Sequence, residues 1–399
     1  MKNNLKKYIF ETGHGKGLAK AEIISISSES AILDEVENGF VVENLIPDAP
    51  KLLSRMGGIV RICEVLHEGP ASMPINFVEW TVSAIKENVR KGGKIRFGLS
   101  MHPKAEKVLK KILINSKENL KEALGNVRFV NKDFQNLSSA QAWHENLITE
   151  SSIELHLFQS PSKWYICKTL AIQNFESYAH RDMKRPAKDI TIGMFPPKLA
   201  QILINLAVNS SAEPSPDITI FDPFCGSGTV LQEAILMNYS ASGSDKDQKM
   251  VDDTIANLEW LKKEYEVSDE TPNVFQKDAC QLKTEDLQGK RFALVSETWL
   301  GPLLHKESFK DERAKIQQEV EALYEKFFAN LKKILKTPTT IVFTAPFHKF
   351  GNERYFLPNL PKILNKYAKI IPLSEHERPS LFYERKEQFV GREIWKIVI

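Results

Sequence analysis

Ile218-Thr219-Ile220-Phe221-Asp222-Pro223-Phe224-Cys225-Gly226-Ser227-Gly228-Thr229 decides the fold: an apolar run, an acidic residue, a glycine loop, then helical sequence to Met237. A β-branched run of this length reads as a buried strand, and the two glycines mark a tight connection into a helix. Working outward, Ser240–Ser244 is a second strand, Met250–Lys263 a helix and Asn273–Phe275 a third strand. Phe292–Val295 reads as a strand, Glu312–Leu335 as a long helix and Thr340–Phe343 as another strand. A closing strand pair is expected over Phe382–Val398. Strands alternating with helices predict a doubly wound α/β sheet, on which an antiparallel end strand is allowed.

The glycine loop has a physical logic. Gly226 and Gly228 let backbone approach a ligand closely, and the helix opening at Thr229 offers free N–H groups. A dinucleotide loop needs a third glycine three residues after Gly228, where Leu231 stands. The loop therefore suits the methionine carboxylate of S-adenosylmethionine (SAM) better than a pyrophosphate. Asp245, about 20 residues on, is positioned to accept from the ribose hydroxyls, and Asp278-Ala279 follows the third strand where a carboxylate can accept from the adenine amine. The candidate cofactor residues are Asp222, Phe224, Gly226, Ser227, Gly228, Thr229, Asp245, Asp278 and Ala279.

The fourth strand ends Glu297-Thr298-Trp299-Leu300-Gly301. In SAM enzymes acting on exocyclic amines this place holds Asn/Asp-Pro-Pro-aromatic, because a delocalised amine must be aimed and an extruded base must be stacked. Glu297 takes the acceptor position and Trp299 is the stacking candidate; Glu297, Thr298 and Trp299 form the expected catalytic set. A carboxylate accepts both N1–H and the 2-amino group of guanine in a fork, whereas adenine pairs a donor with an acceptor. Glu297 thus leans toward guanine N2.

The front of the chain has another texture. Tyr8–Phe10, Gly39–Val42, Ile59–Ile62, Lys94–Gly98, Asn126–Val130, Ile153–Phe158 and Trp164–Cys167 read as strands, and Lys104–Ile114 as a helix, typical of small α+β modules. Residues 1–190 carry 27 Lys+Arg against 22 Asp+Glu, while the whole chain stands at +3, so the excess positive charge lies in front. That suits a polyanion partner. Ser177–Pro197, polar, basic and holding three prolines, reads as a linker, with Lys198–Val208 opening a helix. No apolar run is long enough for a membrane span, no secretory signal is evident, and the four cysteines are far apart. A cytoplasmic protein is expected. No metal is expected: His14, His102 and His305 lack ligand spacing.

With these motifs in view, the sequence resembles the THUMP-containing tRNA guanosine-10 N2-methyltransferases over nearly its whole length. The similarity rests on Tyr8–Gly13 with Leu18–Glu22, Leu53–Gly58, Lys94–Cys167, Arg181-Asp182-x-x-Arg185-Pro186 and Gly193–Ala200, together with the glycine loop. The resemblance implies a ferredoxin-like domain over 1–92, a THUMP RNA-binding domain over 93–176, a linker over 177–198 and a Rossmann-like SAM-dependent methyltransferase domain over 199–399. It also implies tRNA as partner and RNA docking by Arg181, Lys184 and Arg185; some members of the family need a small activator protein, and the sequence leaves open whether this chain does. The family's Asp-Pro-Pro-Tyr-Gly is replaced here by Glu297-Thr298-Trp299-Leu300-Gly301. Two other readings stay open: a DNA amino-methyltransferase, and a SAM-binding RNA-binding protein with a lapsed reaction site.

Overall fold

The computed structural model describes all residues except 1–4, 14, 29–30, 45, 74, 91–93, 189–193, 209–213, 266, 268–271, 288–290, 303–308, 376–377 and 386–387, and the side chains of 309–311. His14, Gly193 and His305 lie outside the described residues. The chain forms two compact units, Met1–Phe175 and Glu176–Ile399.

The first unit begins with β1 (Lys6–Thr12), α1 (Lys16–Ile26), β2 (Ile32–Val36), β3 (Gly39–Asn44), α2 (Ala49–Ser54), β4 (Ile59–Pro70) and α3 (Phe77–Asn88). It continues through β5 (Ile95–His102), α4 (Glu106–Leu124), β6 (Val127–Phe129), α5 (Ser139–His144), β7 (Ile148–Thr149), β8 (Ser152–Gln159) and β9 (Lys163–Ile172). Its sheet runs β2-β3-β1-β4-β9-β8-β5-β6, with β7 beside β8. Because β4 pairs antiparallel with β9, strands from both sides of residue 92 share one sheet.

Local chemistry explains these elements. Leu109, Ile112, Leu113, Ser116 and Leu120 form the buried stripe of α4, at the spacing of one helix face. A reciprocal pair starts α5: Ser138 Oγ accepts from Gln141 N at 3.2 Å, and Gln141 Oε1 accepts from Ser138 N at 2.9 Å. The unit also buries charge. Arg61, 3% exposed, bonds Glu11 at 2.7 Å and lies 3.2 Å from Glu154, itself fully buried. Thr169 Oγ1 donates to Glu154 at 2.7 Å, and His156 lies 3.4 Å away.

The second unit opens where the sequence suggested a linker. α6 (Phe175–Met183) occupies its front part, followed by α7 (Pro197–Val208), apolar on nearly every side and buried accordingly. Then come β10 (Ile218–Asp222), α8 (Thr229–Leu236), β11 (Ser240–Asp245), α9 (Gln248–Tyr265), β12 (Asn273–Gln276), β13 (Arg291–Glu297) and α10 (Phe309–Ile334). The unit closes with β14 (Thr340–Phe350), β15 (Glu353–Tyr355), α11 (Leu360–Tyr367), β16 (Lys369–Ile370), β17 (Leu381–Tyr383) and β18 (Val390–Val398).

Its strand order is β12-β11-β10-β13-β14-β18-β16, parallel from β12 to β14. The antiparallel strand is inserted between β14 and β16 rather than lying at the edge. Order reverses between β10 and β13, and the crevice outside the carboxyl ends of those strands is where such sheets bind ligands. α10 seals one face through Val320, Tyr324, Phe327 and Phe328, packed with Phe343 and Trp395. Among the described residues no helix is long and apolar enough to cross a membrane.

Candidate cofactor and reaction site

Asp222 ends β10 with only 2% of its surface exposed. Its Oδ1 accepts from Ser296 Oγ at 2.6 Å and from Phe224 N at 3.0 Å. Burial outweighs those two bonds and pushes its carboxyl up to about 7. Beyond it the chain turns through left-handed backbone, φ 52° at Gly226 and 81° at Gly228. A Cβ on Gly228 would come within 2.8 Å of Thr254, whereas at Gly226 it would meet nothing within 4 Å. The loop thus packs against α9 at one glycine and opens outward at the other. Thr254 Oγ1 donates to Gly226 O at 2.6 Å, and Asn257 Nδ2 to Ser227 O at 2.8 Å.

This loop joins Met194, Phe195, Met250, Asp253 and Glu297 in lining one cleft. Of the expected cofactor residues, Asp222, Phe224, Gly226, Ser227 and Thr229 line it. Asp245 stands just behind: one carboxylate oxygen accepts from Gly226 N at 3.0 Å, the other from Asp247 N at 3.0 Å. Each oxygen keeps lone-pair capacity for a ligand hydroxyl. Asp278 accepts from Cys280 N at 2.8 Å, and Ala279 is buried beside it. The donor set fits SAM. The opening turn of α8 has N–H groups without intrahelical partners that would meet an anionic end, and Asp222 would supply a carboxylate for an ammonium group. Cys225 also lines the cleft, but burial holds its thiol well above the usual range, so it is protonated and inert.

The reaction motif divides. Glu297 reaches the cleft wall at the end of β13, where its Oε1 accepts a close hydrogen bond from Arg392 Nε. Burial raises its carboxyl above the ordinary value, with Arg392 opposing. Thr298 turns inward instead: its hydroxyl pairs with Tyr324 OH at 2.5 Å and donates to Thr344 O at 2.7 Å. The Thr298 side chain thus anchors β13 to β14, and its expected place in the catalytic set rests on the motif alone. Trp299 is 38% exposed, as a ring free to stack must be.

The expected docking arginines also require correction. Arg181 is 6% exposed, donating from Nε to Glu233 Oε1 at 2.6 Å and from Nη2 to Oε2 at 3.1 Å. Arg185 is 2% exposed and donates to Thr229 Oγ1 at 2.6 Å. A phosphate cannot reach guanidinium groups so enclosed. Both brace α8, the helix behind the cofactor loop. Lys184 remains exposed between them. Glu233, a charge amid the apolar run of α8, was the available signal that a buried cation must come from elsewhere. Sequence reasoning missed Met250, Asp253 and Arg392, none of which stands in a glycine or strand-end motif.

Comparison with known proteins places the chain among methyltransferase-like sequences and folds. Residues 189–350 match a family model described as an RMKL-like methyltransferase domain. A second model, described as DNA methylase, matches residues 76–257 and so crosses both units. A tRNA (guanine(10)-N2)-dimethyltransferase from Methanothermobacter thermautotrophicus is 32% identical over 125 residues, 31% of this chain and 33% of that protein. Its namesake from Methanocaldococcus jannaschii is 29% identical over 136 residues, covering 34% and 36%. The chain thus spans about a third of the length of these curated relatives. Among solved structures, a possible methylase from Clostridium difficile has a TM-score of 0.53 at 14% identity, covering 99% of this chain and 98% of the other. TrmN from Thermus thermophilus has a TM-score of 0.52 at 14% identity, covering 99% of each. The second unit shares the α/β fold of those solved methylase structures, and residues 189–350, most of it, match a methyltransferase domain.

Proposed function

We propose that this chain transfers a methyl group from SAM to the exocyclic N2 of a guanosine in tRNA, at position 10. One observation carries the reading: a carboxylate, Glu297, stands at the wall of the SAM cleft where an amine-directed site needs its acceptor. A carboxylate suits the paired donors of guanine better than the mixed edge of adenine. The two curated relatives named for guanine-10 of tRNA support the substrate. Bound SAM supplies an activated methyl on a sulfonium. Asp222, Asp245 and the α8 N-terminus hold it, Glu297 orients the amine, and Trp299 stacks on the extruded base.

The first unit is the tRNA-docking part on this reading, with ferredoxin-like and THUMP modules at 1–92 and 93–176 and a connection at 177–198. The exposed Lys107, Lys110, Lys111 and Lys121 of α4 are suited to phosphates, in place of Arg181 and Arg185. Such a substrate implies a cytoplasmic location. The match to a DNA methylase model favours one second reading, amino-methylation of DNA. Labelled SAM, unmodified tRNA and duplex DNA separate the two. Label recovered as N2-methylguanosine supports the proposal, whereas label in DNA adenine or cytosine, or SAM binding without transfer to either, rejects it.

A further inference from the structure

β18 brings an arginine to a site that the parallel strands otherwise build. Arg392 lies opposite Pro346 of β14 and Tyr383 of β17, with its side chain 5% exposed. Its guanidinium neighbours two residues that line the cleft, Glu297 and Phe195. Nε donates to Glu297 Oε1, and Cζ stands 5.8 Å from the ring centroid of Phe195. Among the described residues Glu297 makes no second side-chain hydrogen bond, so Oε2 is uncommitted.

Resting on the reading of Glu297 as amine acceptor, we propose that Arg392 is the positioning residue of the reaction centre: it holds Glu297 as an ionised carboxylate with Oε1 fixed and Oε2 left for the substrate amine. A carboxylate fixed at one oxygen has a single remaining aim, which is what an amine of negligible basicity requires. As the amine lone pair forms the new bond to the methyl carbon, the electron pair of the old bond stays on sulfur. The N–H proton then passes to Oε2. That transfer needs Glu297 charged beforehand. The other groups facing it offer no help: Asp222 on β10 is acidic, and Tyr324 on α10, raised by burial, stays a neutral phenol. Arg392 is the one cation among the described residues that contacts Glu297.

The test uses the full chain and three variants: Arg392→Gln, Arg392→Lys and the double variant E297Q/R392Q, in which neither charge remains. First, the Glu297 carboxyl is titrated by isotope-edited infrared spectroscopy without SAM, assigned by its loss in Glu297→Gln. In Arg392→Gln the carboxyl should titrate at higher pH than in the parent chain, with Arg392→Lys between them. Second, single-turnover methylation of tRNA by Arg392→Gln should slow roughly 10- to 100-fold, its acidic limb moving to higher pH, while SAM affinity is unchanged. An unmoved carboxyl titration, or a slower rate with an unmoved limb, overturns the proposal. Should Arg392→Gln unfold, recovery of the fold in the double variant supports it, because only an uncompensated Glu297 charge separates the two. If the parent chain methylates no tRNA, the proposed function falls, and the infrared titration still decides whether Arg392 controls Glu297.

Discussion

Two buried carboxyls, one in each unit, are held in opposite ways. In the first, burial alone would raise Glu154, yet His156, Arg61 and a bond from Thr169 outweigh it and bring the carboxyl down to about 2. In the second, Asp222 is equally enclosed but has only neutral donors, and it rises to about 7. In the first arrangement Glu154 has its partners inside the unit: Arg61, His156 and Thr169. The second has no cation among the causes that set it, and such imbalance clusters at functional sites.

The largest test of this contrast is Arg61→Met. It leaves Glu11 and Glu154 buried without their cation and should destabilise the first unit by about 3–5 kcal/mol. Hydrogen exchange of β8 peptides reads this unit by unit; a loss below about 1 kcal/mol would break the comparison. Because the Glu154 carboxyl lies below its ordinary value, its contribution is present at neutral pH. That contribution disappears as pH falls from about 4.3 toward about 2.

Asp222→Asn should act with the opposite sign. A carboxyl raised to about 7 in the fold disfavours folding progressively as pH climbs from about 4 to about 7. Asparagine keeps an acceptor for Ser296 and Phe224 without the charge. The SAM-free second unit should gain about 2–4 kcal/mol at pH 8 and nothing at pH 4, read by exchange of β10 and β13 peptides. The same variant should bind SAM more weakly. Equal stability of variant and parent at pH 8 would remove Asp222 from the unbalanced class.

Glu297→Gln tests the carboxylate that does have a cation. It replaces one acceptor oxygen by a donor facing a guanine donor and should slow single-turnover methylation roughly 100-fold, about 2.7 kcal/mol. A parent-like rate would move the acceptor role elsewhere. The smallest effect is expected at Asp245, whose two oxygens are already steadied by Gly226 and Asp247. Asp245→Ala should weaken SAM binding by about 1.5–3 kcal/mol in calorimetry. Unchanged affinity would leave Asp245 a loop brace only.

The alternating strands and helices of the second unit were legible because Ile218–Phe221 and Phe292–Val295 are apolar runs with turn residues beyond them. So was the glycine loop, whose left-handed turns are demanded by Gly226 and Gly228. α6 was not: Ser177–Pro197 is polar and proline-rich, and its order comes from Arg181 meeting Glu233, 52 residues later. Thr298 fell within a reaction motif, but sequence position does not say that its hydroxyl turns inward to Tyr324. Arg392 escaped, and the partner of Arg181 went unseen, for one reason: an ion pair between elements distant in sequence leaves no local spacing to read. Local periodicity is written in neighbouring residues, whereas charge compensation is written in topology.

The insertion of β18 beside β14 also has a consequence in time. Glu297 and Arg392 are 95 residues apart. At synthesis rates of about 5–20 residues per second, the carboxylate precedes its guanidinium by roughly 5–20 seconds. Throughout that interval the nascent chain contains the residues of the glycine loop and of β10 to β13, and an acid without its counter-ion. Vectorial synthesis therefore delivers the glycine loop and Glu297 before Arg392, so on the proposed reading the parts that hold the cofactor are made before the residue that aims the acceptor.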